Sequence, residues 1–322
     1  MKKTINAALG FLGDYSSIIL ALFLVIGFSL PELAKFCKPL LTPIIFIMMA
    51  LSFMRTKPSV LFSHFKRPQL LLSSVLWMLV AMPLILYFVA LATNLAQFNL
   101  DLLILLVIIF TAPPIMTAPA FTYLLNLDGS LSLSVIALAL IMVPITAPVF
   151  VSLLLPATLA IDPYLLSAKL AIILIGSAIV GFGLRQIIGP TKIERMPRQL
   201  NGLNTLMMFV FAAASMDGVA SFTFSHPLQT IVITISVFVI AFVQLGLTYI
   251  LFKGNDKTDG FIIAFTLSGR NIALMIAAMG GHVPHLVWMF FGLAQIQIFL
   301  FPMLLKKAAQ NLAITNGKPT NI

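Results

Sequence analysis

Two short polar segments interrupt apolar stretches of the sequence, and they contain the residues best suited to bind a ligand. The first covers residues 111–114, Thr-Ala-Pro-Pro, and is followed by Pro119. The second covers residues 268–271, Ser-Gly-Arg-Asn. A proline inside a helix removes a hydrogen-bond donor and clashes with the preceding turn. The prolines therefore predict an unwound segment, and a glycine with polar neighbours predicts a second one.

Arg270 is the charged side chain that the sequence places in the middle of an apolar stretch. Its guanidinium has five N–H donors, and their fork matches a carboxylate. The acidic residues lie in or beside predicted loops, with Asp217 at the outer end of a predicted helix. They are Asp14, Glu32, Asp101, Asp128, Asp162, Glu194, Asp217, Asp256 and Asp259. We therefore expect the carbonyls of the two unwound segments, or an anionic ligand, to accept hydrogen bonds from Arg270.

The elements that position these segments are predicted to be membrane helices. The chain is 61% hydrophobic and 9% charged, whereas soluble domains have about 25% charged residues. Repeated apolar runs near 20 residues long are typical of spanning helices. The fold class is therefore predicted to be an all-α polytopic membrane protein. Ten spans are predicted, at residues 16–30, 39–54, 70–93, 102–125, 131–154, 164–187, 201–217, 227–252, 260–280 and 286–305.

The basic residues indicate the orientation of the chain in the membrane. Three of them, Lys35, Lys38 and Lys169, fall on one side of the predicted topology. The other side has Lys2, Lys3, Arg55, Lys57, Lys66, Arg67, Arg185, Lys192, Arg195, Arg198, Lys253, Lys257, Lys306, Lys307 and Lys318. Cytoplasmic loops carry an excess of Lys and Arg. We expect a multi-pass protein of the cytoplasmic (inner) membrane with both termini in the cytoplasm.

Five spans in each half give the two halves opposite orientations. This pattern predicts an inverted-topology repeat, and each polar interruption lies in the fourth span of its half. Matched interruptions in two inverted halves indicate the binding site of a secondary transporter. The interruptions therefore favour transport by alternating access.

Other classes of function find little support in the sequence. Four histidines, His64, His226, His282 and His285, are predicted to lie in loops, and their spacing does not predict a metal site. Cys37 is a single cysteine, so no intramolecular disulfide is expected. Phosphate-binding and catalytic motifs are missing from the sequence. We expect no enzyme, no cofactor and no nucleic-acid partner, because the net charge of +10 is spread over short loops. The oligomeric state is left open.

Several segments resemble the bile acid:sodium symporter family. The resemblance is carried by residues 43–52, the basic loop ending at residues 66–68, Met82-Pro83, residues 111–113, residues 122–124 with Asp128, residues 131–132, residues 146–148, and Arg270-Asn271 with residues 273–274. The family implies that spans three to five and eight to ten form a core domain, in which spans four and nine cross at their breaks. Spans one, two, six and seven would form a panel, with substrate bound between panel and core.

The family resemblance implies domain boundaries. The panel would comprise residues 1–68 and 159–224, the core residues 69–158 and 225–310, and residues 311–322 would form a cytoplasmic tail.

The sequence departs from the family at the positions that hold sodium. Ala118-Pro119 replaces Ser-Asn, Ile136 replaces threonine, Thr266 replaces glutamate, Arg270 replaces glutamine and Met78 replaces glutamine, while Asn271 and Ser132 remain. Apolar side chains provide no oxygen ligands. We therefore expect sodium-independent transport, with the Arg270 guanidinium as a tethered substitute for bound sodium.

The expected substrate is a small or amphipathic organic anion. Its carboxylate would meet the start of the helix after the first break, near Met116 and Thr117, with a hydrogen bond from Asn271 and charge from Arg270. The predicted substrate-binding residues are Arg270, Asn271, Met116, Thr117, Thr111, Ser268 and Thr266. Two alternatives are a sodium-coupled symporter of organic anions with backbone ligands and a non-transporting membrane receptor or partner-binding protein.

The charge distribution leads to a topology prediction. We expect epitope tags at both termini to be inaccessible to antibody in intact cells and accessible after permeabilisation, because basic loops stay in the cytoplasm. A tag in the predicted outer loop at residues 94–101 is the positive control. Labelling of either terminal tag in intact cells would show that the span count is wrong.

Overall fold

Helices form nearly all of the structure, which is a computed structural model that describes residues 16–61, 64–156, 161–254, 256–280 and 283–315. No β-strand occurs in these ranges, although Pro114 and Arg270 form an isolated β-bridge. Some residues considered above lie outside the described ranges. They are Lys2, Lys3, Asp14, His282, Lys318 and the part of the predicted tail at 316–322.

Helical segments occur in each of the ten predicted spans. They are α1 (Ser16–Ser29), α2 (Pro31–Cys37), α3 (Leu41–Arg55), α4 (Pro58–Leu61), α5 (Pro68–Leu76), α6 (Met82–Ala92), α7 (Leu95–Phe98), α8 (Leu100–Thr111), α9 (Ala118–Leu124), α10 (Gly129–Leu154), α11 (Pro163–Ile188), α12 (Pro190–Glu194), α13 (Pro197–Ser215), α14 (Val219–Ser225), α15 (Pro227–Phe252), α16 (Lys257–Ser268), α17 (Ile272–Ala278) and α18 (His285–Thr315). A 3-10 turn, Lys38–Leu40, joins α2 to α3, and a π turn, Trp77–Ala81, joins α5 to α6.

Seven of the described helical segments are long and apolar enough to cross a membrane. They are Pro31–Arg55, Pro68–Ala92, Gly129–Leu154, Pro163–Ile188, Pro197–Ser225, Pro227–Phe252 and His285–Leu312. Leu100–Thr111 is a shorter apolar helix. The prediction of an all-α polytopic membrane protein is therefore confirmed, whereas the ten-span inverted repeat remains a prediction.

Prolines and acidic side chains determine where many helices begin. Proline occupies the first position of helices such as α5 and α13, where its missing N–H is not needed by the helix. Asp128 caps α10 by accepting a hydrogen bond from the Ser130 N–H at 2.9 Å. Asp256 caps α16 by accepting from the Thr258 N–H at 2.7 Å. These carboxylates serve helix ends, as their predicted positions beside loops imply.

The structure corrects two predicted positions. Asp217 is not the outer end of the seventh predicted span, because a further helix, α14, follows it. Gly218 lies between them, and its φ of +75° changes the direction of the chain. His285 does not lie in a loop, since it is the first residue of α18. Polar residues are well accommodated at both places, because backbone groups at helix ends still need partners.

The chain divides into two compact units. The first is Met1–Thr56, Ala171–Ile233 and Trp288–Gln295, and the second is Lys57–Leu170, Thr234–Val287 and Ile296–Ile322. The assignment of residues to a panel and a core domain stays a prediction.

In the first unit, α13 packs against α1, α2 and α3. Polar groups also join three of its segments. Lys38 Nζ lies 2.8 Å from Asp217 Oδ2, and the same ammonium lies 4.4 Å from the centre of the Trp288 ring. Trp288 Nε1 donates a hydrogen bond of 2.8 Å to the Asp217 carbonyl oxygen. Asp217 therefore has a local basic partner within this unit.

In the second unit, α10 packs against α5, α8, α9 and α16. The π turn before α6 accommodates Pro83, which cannot donate the usual helical hydrogen bond. Trp77, at the start of this turn, donates from Nε1 to Thr248 Oγ1 at 3.0 Å. This contact connects the turn to α15, the helix that also reaches Arg270.

Gly181 and Gly183 in α11 provide a matched test of packing in the first unit. A Cβ at Gly181 would overlap the Ala50 carbonyl oxygen, whereas a Cβ at Gly183 would meet nothing within 4 Å. We expect Gly181→Ala to destabilise the protein by about 1–3 kcal/mol through overpacking. Gly183→Ala should leave stability unchanged or raise it by up to about 1 kcal/mol. Melting curves of purified protein measure both; equal melting temperatures would contradict the close approach.

Candidate functional site

The first break separates α8 from α9. Asn99 caps α8 by accepting a hydrogen bond from the Leu102 N–H at 2.9 Å, and the helix ends at Thr111. Ala112 is extended, with a φ of −66° and a ψ of 143°. The helix does not resume until Ala118. The predicted unwound segment is thus confirmed, because Pro113 and Pro114 cannot continue the hydrogen-bond ladder of α8.

The second break separates α16 from α17. Helix α16 ends at Ser268, and Gly269 is extended with a φ of −88° and a ψ of 115°. Asn271 then caps α17 by accepting a hydrogen bond from the Leu274 N–H at 3.1 Å. This interruption is also confirmed, and its polar residues serve as the end of one helix and the start of the next.

The two breaks pair with each other through their backbones. The Ile115 N–H donates to the Gly269 carbonyl oxygen at 3.1 Å, and the Asn271 N–H donates to the Pro113 carbonyl oxygen at 2.7 Å. Pro114 and Arg270 stand opposite each other in this short antiparallel bridge. A Cβ at Gly269 would lie 2.9 Å from Ile115 Cδ1, so a side chain there would require Ile115 to shift. The pairing satisfies backbone groups that a membrane interior would leave without partners.

The side chain of Arg270 reinforces the place where the two breaks pair, which is called the crossing below. Its Nη1 donates to the Ala112 carbonyl oxygen at 3.2 Å, and its Nη2 lies 2.9 Å from Met82 Sδ. Its Nε donates to Gln244 Oε1 at 2.8 Å. Arg270 is only 6% exposed and forms no ion pair with a described residue. The hydrogen bond from Arg270 to the Ala112 carbonyl oxygen is the expected contact with backbone of the other break.

Gln244 and Met82 are site residues that the sequence did not predict. Gln244 lies in α15 and is 1% exposed. Its amide stands out as a polar group within an apolar helix, and Thr248 follows it one turn later on the same helix. Residues four apart share one helix face, so this pair could have indicated a polar face turned toward protein. The contact of Met82 with Arg270 could not be predicted in this way, because methionine is a common apolar residue of protein cores.

Thr266 and Ser132, at two of the positions where the family resemblance implies sodium ligands, contact each other. Thr266 Oγ1 lies 2.7 Å from Ser132 Oγ and 2.7 Å from the Ile262 carbonyl oxygen. Both residues are completely buried, as are the apolar Ile136, Met78 and Ala118 at other such positions. No group of three or more His, Cys, Asp or Glu side chains suitable for a metal ion occurs in the described part of the chain.

The remaining predicted substrate-binding residues fall into two groups. Thr111 and Ser268 are buried and donate their hydroxyl protons to their own helices, at Val107 and Phe265. Met116, Thr117 and Asn271 are partly exposed beside the paired breaks. Asn271 uses its Oδ1 to cap α17, which leaves Nδ2 as a donor without a described acceptor.

The start of α9 offers few donors to an anion. The Ala118 N–H already donates to the Ile115 carbonyl oxygen at 3.2 Å, and Pro119 has no N–H. The predicted anion site near Met116 and Thr117 therefore depends more on Asn271 and on the charge of Arg270 than on this helix end.

Two of the described histidines make local contacts. His64 Nε2 lies 3.4 Å from Asp128 Oδ2, and the His226 ring stacks on Phe222 with the ring centres 5.1 Å apart.

Comparison with known protein families identifies the chain. No curated protein matches the sequence significantly. The Sodium Bile acid symporter family, whose members are membrane transporters, matches residues 42–222. The match includes the first break and ends before the second. Because it covers more than half of the 322 residues, the chain belongs to the Sodium Bile acid symporter family.

Proposed function

We propose that this protein transports small or amphipathic organic anions by alternating access without sodium, and that Arg270 replaces the bound ion. The observation that carries this proposal is the hydrogen bond from Arg270 Nη1 to the Ala112 carbonyl oxygen. A cationic group thereby interacts with backbone freed at the crossing of two broken helices. Such unwound carbonyls coordinate the coupling ion in many secondary transporters.

The residues at the positions where the family resemblance implies sodium ligands support a tethered cation over a bound one. Thr266 and Ser132 already use their hydroxyl groups on each other and on backbone. Ile136, Met78 and Ala118 offer no oxygen ligand and are buried. A sodium ion needs several oxygen ligands, and a second cation near Arg270 would be repelled. These features favour transport as facilitated diffusion, exchange or efflux.

The proposed substrate site lies at the partly exposed side of the crossing. Asn271 Nδ2 would donate a hydrogen bond to the carboxylate, with Met116 and Thr117 beside it. Arg270 would attract the anion electrostatically from its buried position, because charge acts over a longer range in an apolar environment than in water. Thr111, Thr266 and Ser268 would contribute by holding the helix ends around the breaks.

The proposed architecture is a ten-span inverted repeat with panel and core domains. Both termini would be cytoplasmic, and the protein would lie in the cytoplasmic (inner) membrane. The matched breaks in α8–α9 and α16–α17 support this arrangement. Rocking of the core against the panel would then expose the crossing to either side of the membrane in turn.

A sodium-coupled symporter is the second candidate, because the matching family is described by sodium coupling. In that case backbone carbonyls would have to replace the missing side-chain ligands. The two candidates differ in a single measurable quantity, the dependence of substrate flux on sodium.

We expect replacement of sodium by potassium to change the apparent substrate affinity by less than about twofold, or about 0.4 kcal/mol. The reason is that the positions of the sodium ligands are apolar or already hydrogen-bonded. Uptake of labelled organic anions into proteoliposomes, at constant chloride and without a membrane potential, measures this. Sodium dependence of tenfold or more would favour the symporter, and the lack of any substrate-dependent flux would favour a receptor.

Substitutions of Arg270 test the tether directly. Arg270→Lys keeps the charge but loses the planar fork that reaches three acceptors, and Arg270→Gln loses the cation. We expect each variant to lose at least about tenfold in flux, or about 1.4 kcal/mol in transition-state free energy. Arg270→Gln should also lower the melting temperature, because the buried carbonyl of Ala112 loses its donor.

Arg195→Gln is the matched control, since Arg195 is exposed and lies near the start of α13. Its flux and melting temperature should match those of the unmodified protein. Near-native flux in Arg270→Gln would refute the role proposed for Arg270, whatever its effect on stability.

A further inference from the structure

Gln244 contains a buried polar group that the proposed transport function does not use. The residue is 1% exposed and its Oε1 accepts a hydrogen bond from Arg270 Nε at 2.8 Å. Its Nε2, with two N–H donors, has no acceptor among the described residues. Buried polar groups are nearly always hydrogen-bonded, so an unpaired amide nitrogen indicates a partner other than the described residues.

Exchanging the two amide atoms of Gln244 does not remove the problem. With Nε2 in place of Oε1, an N–H donor would face the N–H of Arg270, and two donors cannot bond to each other. The orientation with Oε1 toward Arg270 is therefore fixed by the guanidinium. The unpaired nitrogen is a consequence of this contact and of the burial of both side chains.

Arg270 adds further donors beside the same amide. Its guanidinium has five N–H groups, and its Nε, Nη1 and Nη2 each make one contact. Two N–H groups therefore remain, together with the two on Gln244. Gln244 Nε2 lies within about 5 Å of Arg270 Nε, because the two heavy atoms of an amide are about 2.2 Å apart. The two neighbouring side chains therefore carry four N–H donors without a described acceptor and one full positive charge.

We propose that a small monovalent anion with the size and charge of chloride binds beside Gln244 and Arg270. It would accept hydrogen bonds from Gln244 Nε2 and from the remaining N–H groups of Arg270. An anion fits better than water because the guanidinium has no carboxylate partner in the described residues, and a buried charge needs a counter-charge. This site is separate from the transported substrate, whose proposed contacts are the partly exposed residues of the crossing.

The burial of the site determines which anions it accepts. Arg270 is 6% exposed and Gln244 is 1% exposed, so a bulky carboxylate cannot reach both side chains. A divalent anion would neutralise the single positive charge of Arg270 but leave one buried negative charge without a partner. Halides satisfy both conditions, whereas sulfate and gluconate do not.

Thermal unfolding of the purified full-length protein in detergent tests the proposal without substrate, so its result does not depend on transport activity. Sodium chloride is compared with sodium gluconate at equal concentration, and bromide and sulfate are tested in the same way. We expect chloride and bromide to raise the melting temperature saturably by about 2 °C or more, and sulfate to have no such effect. Equal melting temperatures in all four salts would overturn the proposal and identify water as the acceptor.

Two substitutions at Gln244 locate the effect. Gln244→Glu places a carboxylate against Arg270, so it should melt in gluconate at or above the chloride-bound unmodified protein, with a halide shift at least about fivefold smaller. Gln244→Met removes the amide donors, so it should lose the halide shift while still unfolding cooperatively. Retention of the full halide shift by both variants would overturn the proposal.

Gln295→Glu is the matched control at another buried glutamine. Gln295 is 4% exposed and its Nε2 already donates to the Phe291 carbonyl oxygen at 3.1 Å. The substitution should lower the melting temperature, because it buries a carboxylate in place of a paired amide, and should leave the halide shift intact. Loss of the shift in this variant as well would contradict a local site at Gln244.

Discussion

The pairing of the two unwound segments is the interaction on which the second unit depends. A broken helix in an apolar environment leaves N–H and C=O groups that water cannot reach, and each unpaired group destabilises the structure. Here each break supplies the partners of the other, through Ile115 with Gly269 and Asn271 with Pro113. The prolines reduce the number of donors in the first break, so a side chain must complete the set. Arg270 does this by donating to Ala112.

A cation attached to the chain has different consequences from a cation that binds and dissociates. A bound ion contributes its charge only when its concentration and the state of the transporter allow, which is how a gradient drives transport. Under the proposed function, Arg270 remains at the crossing in every state. The crossing would therefore not require a bound sodium ion, and the direction of transport would follow the gradient of the substrate. The direct hydrogen bond between the Thr266 and Ser132 hydroxyl groups is compatible with a crossing that has no sodium ion between them.

Helix α15 shows how an isolated polar face can dock an otherwise lipid-facing helix. Much of its surface is apolar and exposed, including Ile235 and Val239, as expected of a helix in contact with lipid. Gln244 and Thr248 lie one turn apart on the opposite, buried side and bind Arg270 and Trp77. In a membrane the apolar side chains gain little from contact with protein instead of lipid, so polar contacts of this kind determine where the helix packs.

The sequence by itself determined the membrane class, the positions of both breaks and the presence of a buried guanidinium. These follow from local rules, because hydrophobic length, proline geometry and helix capping act over a few residues. The partners of Arg270 required the tertiary structure, since Gln244, Ala112 and Met82 are 26, 158 and 188 residues away. Polar residues within a span indicate a buried face but not the neighbour that the face meets. That choice depends on packing between distant helices, which also left Gln244 Nε2 without an acceptor among the described residues.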